Sequence, residues 1–309
     1  MSTNVRRTAN GLVIEFESPH DVLSTTFGMS RRVRKIMAGN YAQHFESGIL
    51  YLHVDGDPSR FCVSEKSYGV TEVTAVAFAD LDSGLERAGS DPQEGAGEVC
   101  IIVVADCDMP DSTLARAGIT VNEAVTATVQ DLDLSYDSLS ASGSARQTIA
   151  IACNKDSGLF LRGSGNHCKL GELIGSASID ALKESASMNG TGPGHRMSVM
   201  ARMSEYGYSG EELFKRSGCD DPSLFLVKEV TMDSDPDLLA TVSAVLHVYD
   251  EVRWGFITEE EGLAVARGII RGGMCEPAAS DGILETLACT IAARIGGTDC
   301  FRRRFFLRF

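Results

Sequence analysis

Three segments of the chain carry residue types whose spacing could do chemistry. In GSGNHCKLGELIGSASIDALKES (163–185) a glycine-rich turn delivers His167 and Lys169 to the start of an apolar-striped run. Free amides at a helix start favour negative charge, which a carbonyl develops as water adds to it. His167 and Lys169 could there position water or transfer a proton, although a lone histidine before a helix also serves as an N-terminal polar contact. In ITVNEAVTATVQDL (119–132) Glu123 projects from a helical pattern, and ASGSARQTIAIA (141–152) follows it with Gly143 and Ser144 ahead of a strand. Small residues there allow close backbone approach to a ligand and supply hydroxyl donors, or form a simple polar turn. In VLSTTFGMSRRVRKI (22–36) the hydroxyls of Ser24, Thr25 and Thr26 could bond a polar substrate, while Arg31, Arg32, Arg34 and Lys35 suit a solvated face.

Common signatures are missing. The sequence holds no HExxH, GxSxG or GxxxxGK[ST], which weakens zinc-protease, serine-hydrolase and nucleotide readings. Asp106, Asp108 and Asp111 in ADCDMPD resemble part of a calcium loop but lack its glycine and terminal glutamate, so a solvated strand end is expected.

The elements that must position these residues follow from pattern. LVIEF (12–16), ILYLHVD (49–55), TEVTAVAFAD (71–80), EVCIIVVAD (98–106) and QTIAIAC (147–153) are short β-branched runs bounded by turn residues. Two of them are almost unbroken apolar stretches, as in strands buried on both faces. Helices are predicted over 119–132, with Ile119, Ala124, Ala127 and Val129 near one side, and over 169–188, with Leu170, Leu173, Ile174, Ala177 and Ala181 on one stripe. The fold class is α/β (or α+β): a sheet-based N-terminal domain over 1–190 covered by helices, then a mostly helical region over 196–309. The stretch from Asn189 to His195 reads as a linker. Beyond it, Ser209 with Glu212 and Thr258 with Glu261 fit capping boxes, and helical stripes cover 235–254 and 280–297, with a stop at Gly296. The tail CFRRRFFLRF (300–309) suits a frayed or docked terminus, or an acidic partner.

Composition limits the partners. With 309 residues, 43% hydrophobic and 23% charged, the chain can bury two cores without disulfides or a membrane. A net charge of -15 without a broad basic stripe argues against nucleic acid and anionic lipid. The first residues contain only a five-residue apolar run, too short for a secretory or spanning segment, so no membrane insertion is expected. Nine cysteines without a CxxC pair suit a reduced, cytoplasmic chain. A homo-oligomer is compatible with the sequence.

Taken together and in this order, the three segments resemble the adenosylcobinamide amidohydrolase family, CbiZ, across residues 12–190. HCKLGELIGSASIDALKE (167–184) is similar to that family's H-x-KLGELIG stretch and following helix, VLSTTFG (22–28) to its VLST segment before glycine, and the Glu123 helix to its T-E-A-K helix. The family's lysine corresponds to Val125 and its second threonine to Asn122; its Gly-Gly pair keeps Gly28 alone, followed by Met29. Its T-G-T-G-T-D run aligns with Ser142, Gly143, Ser144, Ala145, Arg146 and Gln147. The resemblance implies hydrolysis of the aminopropanol amide of adenosylcobinamide to adenosylcobyric acid, a corrinoid salvage step in cobamide synthesis. It implies Glu123, His167 and Lys169 as catalytic groups and Ser24, Thr25, Gly28, Gly143, Ser144, Gly171 and Glu172 as substrate-binding ones. The corrinoid is then substrate; there is no DxHxxG motif, and no cofactor or metal is expected. An active hydrolase and a catalytically impaired corrinoid binder or carrier are both compatible with the departures at Val125 and Gln147.

Overall fold

A computed structural model describes residues 3–41, 46–82, 84–91, 95–136, 139–191 and 198–297. The chain divides into two compact units, Met1–Gly192 and Pro193–Phe309. Part of the expected linker and the whole 300–309 tail lie outside the described residues.

The first unit runs β1 (Asn4–Thr8), β2 (Gly11–Ser24), β3 (Gly28–Gly39), β4 (Ile49–His53), a short 3-10 turn at Pro58–Arg60, β5 (Cys62–Tyr68), β6 (Thr71–Asp80), β7 (Leu85–Glu86) and β8 (Glu98–Ala105). It continues with α1 (Asp111–Asp131), β9 (Ser135–Tyr136), β10 (Leu139–Ser140), β11 (Gly143–Ser144), β12 (Arg146–Asn154) and α2 (Lys169–Met188). The main sheet has the order β4-β3-β2-β12-β8-β6-β5, with β1 added to β2. β8 and β12 are parallel neighbours, so α1 is the crossover that a parallel pair requires.

Strand alternation builds two cores. From β8, Val99, Ile101, Val103 and Ala105 face a core shared with α1 and α2, while Cys100, Ile102 and Val104 face a second core. All eight residues of β8 are buried, which is why it reads as an unbroken apolar run. On β6 the helix-facing side chains include Ala75, Ala77 and Ala79, and they share that core with Ala177, Ala181 and Ala186 of α2. Small residues on both surfaces let helix and sheet approach closely. The second core joins Phe78 and Ile102 to Leu12, Ile14, Ile36, Leu50 and Leu52 of β2, β3 and β4, so the sheet curls over itself. Register shifts between Glu15 and His20 and between His20 and Val22 mark the bend in β2. Asp21 secures it, accepting from Arg31 Nη1 at 2.6 Å and from the Arg32 amide at 3.2 Å.

Several expectations need correction. The basic segment after Gly28 is strand β3; Arg31, Arg32 and Arg34 are exposed on it, as a solvated face requires, while Arg31 also reaches Asp111 at 2.5 Å and Lys35 pairs with Glu15 at 3.0 Å. β5 (CVSEKSY) has the polar alternation of an edge strand and so carries no apolar run that would predict it. α1 starts at Asp111, eight residues before Ile119, because Pro110 has no amide to lose and an acid suits the first turn. Ile119 is therefore exposed, and the buried stripe is Leu114, Ala117, Val121, Ala124, Val125 and Val129. Asp106 accepts from Asn154 Nδ2 at 2.8 Å and Asp108 pairs with Lys155, and among the described residues no metal-ligating cluster forms.

The second unit comprises α3 (Val199–Glu205), α4 (Gly210–Ser217), α5 (Pro222–Met232), α6 (Pro236–Arg253), α7 (Glu259–Gly273) and α8 (Ile283–Gly296) around one apolar core. Thr258 and Glu261 complete a capping box. Ser209 caps the Glu212 amide at 3.3 Å, but the Glu212 carboxylate turns instead to Lys215 and Arg216. The glycine stop falls one residue later than expected, at Gly297 with φ 81°. No helix among the described residues is long and apolar enough to cross a membrane.

Candidate active site

The glycine-rich loop before α2 is pinned onto α1. Thr120 Oγ1 donates to the Ser164 carbonyl at 2.9 Å, and the fully buried Ser164 hydroxyl donates to the Thr113 carbonyl at 2.7 Å. Two glycines permit the close fit. A Cβ on Gly165 would lie 2.9 Å from Arg116 Nε and 3.1 Å from the His167 ring, and one on Gly171 would lie 2.0 Å from the Gly165 carbonyl oxygen. The space beside Gly171 is thus filled by the chain's own backbone.

This seating brings Asn166 to the exposed face of α1, where its Nδ2 donates to Glu123 Oε2 at 2.6 Å. His167 follows directly, exposed and beside Arg116. No side chain caps the start of α2. Lys169 and Glu172 pair with each other at 2.5 Å, and the Lys169 ammonium sits 5.0 Å from the centre of the Tyr68 ring. Their charges are therefore engaged on α2 itself and with β5.

A cleft of about 370 Å³ lies beside the same helix, lined by Glu86, Arg87, Ala88, Asn122, Thr126, Ser142, Gly143, Ser144 and Gln147. Gln147 Nε2 donates to Asn122 Oδ1 at 2.7 Å, and Thr126 Oγ1 donates to the Ser142 carbonyl at 2.9 Å. A Cβ on Gly143 would lie 2.7 Å from Gln147 Oε1. The Ser144 hydroxyl is buried and has no hydrogen-bond partner among the described residues.

The β2–β3 turn is held by its own hydroxyls. Buried Ser24 Oγ accepts from the Phe27 amide at 3.0 Å. Thr25 clasps Ile149 twice, its amide donating to the Ile149 carbonyl at 2.9 Å and its Oγ1 accepting from the Ile149 amide at 3.1 Å. Gly28 closes the turn at φ 68°, a conformation in which a side chain is strained.

The expected residues thus form three groups: Glu123 with the loop that carries Asn166 and His167 into Lys169; Gly143 and Ser144 in the cleft; and Ser24, Thr25 and Gly28 in the turn. Asn122 and Glu123, adjacent on α1, link the first two. Gln147 and Ile149, on one face of β12, link the second and third. No hydrogen bond or ion pair joins Ser24 to Glu123 or Lys169 among the described residues. Val125, where the resemblance places a lysine, is 1% exposed within the core.

Sequence reasoning missed Asn166, Arg116 and the Asn122–Gln147 pair. A neutral amide leaves no charge or periodic signal, although Asn166 stands next to His167. It also missed an ionic clamp at the starts of β8 and β12. There Asp55 accepts from Arg146 at 2.6 Å and pairs with His53 at 3.0 Å, and the Asp55 amide donates to Glu98 at 2.9 Å. The Arg146 hydrogen bond draws the Asp55 carboxyl below its usual range, while burial pushes Glu98 up.

Residues 57–191 match the family model described as adenosylcobinamide amidohydrolase, CbiZ. That span carries Glu123, Gly143, Ser144, His167, Lys169, Gly171 and Glu172 and leaves Ser24, Thr25 and Gly28 outside. An uncharacterized protein of Methanocaldococcus jannaschii is 34% identical over 89 residues, covering 28% of this chain and 34% of that protein. The chain therefore aligns with about a third of that curated relative's length.

Proposed function

From the match of residues 57–191 to the adenosylcobinamide amidohydrolase family, we propose that this chain hydrolyses the amide joining a corrin propionyl side chain to aminopropanol. Water adds its oxygen to the carbonyl carbon, the C–N bond breaks, and a proton passes to the departing amine. The products are adenosylcobyric acid and aminopropanol, which makes the reaction a salvage step in cobalamin biosynthesis. The family match carries the reading. The seating of Glu123 against the loop that leads into His167 and the uncapped start of α2 supports it.

Glu123 activates water or protonates the amine, with Asn166 orienting its carboxylate. His167 makes the partner proton transfer. The first amides of α2, with Lys169 released from Glu172, stabilise the oxyanion. Gly143, Ser144 and Glu172 contact the substrate, as do Thr25, Ser24 and Gly28 through the turn they shape. The corrinoid is substrate, and the reaction takes place in the cytoplasm.

A second reading, a corrinoid binder without turnover, is favoured by one observation: the positions that the resemblance gives to a lysine and a carboxylate hold core Val125 and neutral Gln147. The two separate when the full chain is incubated with adenosylcobinamide and the acid and aminopropanol are sought by mass spectrometry. Product supports the hydrolase; binding without product supports the carrier. Glu123→Gln is expected to lower turnover by about 100-fold or more while corrinoid affinity stays within a few fold. Unchanged turnover removes Glu123 from the mechanism.

A further inference from the structure

The cleft beside α1 holds polar groups whose bonding is incomplete in a definite way. Thr126 and Ser142 spend their hydroxyls within the fold: Thr126 donates to the Ser142 carbonyl at 2.9 Å, and Ser142 Oγ accepts from the Ala88 amide at 2.9 Å. Asn122 and Gln147 share one hydrogen bond of 2.7 Å, which uses one amide N–H and one carbonyl. Whichever way the two amides are turned, the pair keeps one carbonyl acceptor and one NH₂ donor without a partner among the described residues. Ser144, more than nine-tenths buried, adds a hydroxyl that bonds nothing among the described residues. Leaving such a group unpaired opposes folding, so a ligand that engaged it would regain what folding lost. The ionised side chains lining the cleft, Glu86 and Arg87, are of opposite sign, so no net charge selects a cation or an anion.

We infer that this cleft is a subsite for a neutral primary carboxamide, read by the Asn122–Gln147 pair through one donated and one accepted hydrogen bond, with the Ser144 hydroxyl as a third contact. A carboxamide is the group that matches an adjacent acceptor and donor at once; a carboxylate or an ester offers acceptors only. On the reading proposed above, on which this inference rests, the ligand is one of the acetamide or propionamide arms on the corrin rim. The subsite then fixes the macrocycle in register while Glu123, one residue along α1, faces the reacting amide. It also gives the neutral residue at 147 a positive role, since an acid there could not donate to Asn122 Oδ1 and would instead take up the Asn122 NH₂ that the arm's carbonyl requires.

The test compares two uncharged-periphery corrinoids, dicyanocobinamide, which carries the amides, and heptamethyl cobyrinate, which carries methyl esters in their place. Affinities are measured by absorbance titration of the full chain, wild type, Asn122→Ala and Ser144→Ala, with thermal melts to establish that each variant is folded. The wild type is expected to favour the amide-bearing corrinoid at least tenfold, and the preference to fall at least fivefold in Asn122→Ala and detectably in Ser144→Ala. Binding of both corrinoids with the same preference in all three proteins overturns the subsite and leaves the corrinoid reading standing. Failure of the wild type to bind either one overturns that reading and the subsite with it.

Discussion

Gly171→Ala tests whether the loop before α2 owes its position to one missing methyl group. The added Cβ would stand 2.0 Å from the Gly165 carbonyl oxygen and 2.8 Å from that of Ser164. The first distance is about 1 Å shorter than real Cβ contacts allow, and the obstacle is backbone, which cannot rotate away as a side chain can. Overpacking of this kind costs about 1–3 kcal/mol, against which alanine returns up to about 1 kcal/mol of helix propensity. With that return in full the net loss is up to about 2 kcal/mol, or roughly up to 8 °C in melting temperature for a unit of this size. On the proposed hydrolase reading the larger effect concerns turnover, because the displaced loop carries Asn166 away from Glu123, where the bond is 2.6 Å. A misplacement of about 1 Å near reacting groups can reduce rate about 100-fold. Gly175→Ala is the control: it lies on the same helix, its Cβ meets nothing within 4 Å, and it should stabilise by about 0.5–1 kcal/mol without loss of activity. Scanning calorimetry and adenosylcobinamide turnover on the two variants decide the matter. If Gly171→Ala is as stable and as active as Gly175→Ala, the loop's seating does not depend on that glycine.

Val125→Lys, which restores the residue type of the resemblance, should lower stability by about 3 kcal/mol or more and gain no activity, because position 125 is 1% exposed in an apolar core; a soluble variant with unchanged melting temperature and raised turnover refutes this. His20 is buried against Phe16, with ring centres 4.0 Å apart, and burial lowers its proton affinity although the Ser18 carbonyl and Asp106, Asp156 and Asp21 oppose the shift. The folded imidazole therefore binds its proton more weakly than the unfolded one, so its contribution to stability is full above about pH 6.5 and is lost as pH falls through the folded value. Melting temperature should decline as pH falls below about 6.5, and His20→Asn should flatten that slope; equal slopes would contradict the assignment. In the second unit, Thr258→Ala removes the hydroxyl that accepts from the Glu261 amide and donates to the Glu261 carboxylate, leaving the bond from the position-258 amide to Glu261, and should cost about 1 kcal/mol in chemical denaturation, whereas Ser209→Ala, which loses a single amide contact, should cost less; equal losses would show that the hydroxyl's bond to the Glu261 carboxylate adds nothing.

What the sequence determined by itself was local and periodic. α2 begins at Lys169 and ends at Met188, as its apolar stripe and flanking turns predicted, and β8 is buried on both faces, as its unbroken apolar run required. The change from sheet to helices likewise shows as a change of hydrophobic period, which each segment carries within a few turns of chain. The motif around His167 was legible for the same reason, since a helix start orders its residues consecutively.

The tertiary structure decided which distant residues meet. Asn166 bonds Glu123 across 43 residues, and Gln147 bonds Asn122 across 25. Such pairs leave no periodic trace, and neutral amides lack the charge that marks a site in a sequence. Arg31 is a solvent-exposed cation as its sequence suggests, but its partners are decided only by the bend in β2, which sets Asp21 beside it, and by the start of α1, which brings Asp111. Val125 lies inside the core because the extra turns of α1 before Ile119 lock the helix rotation through Leu114 and Ala117, which no pattern within 119–132 contains. Side-chain direction on a helix is fixed by what the whole helix buries, so the face a single residue presents is settled only when its neighbours in space are in place.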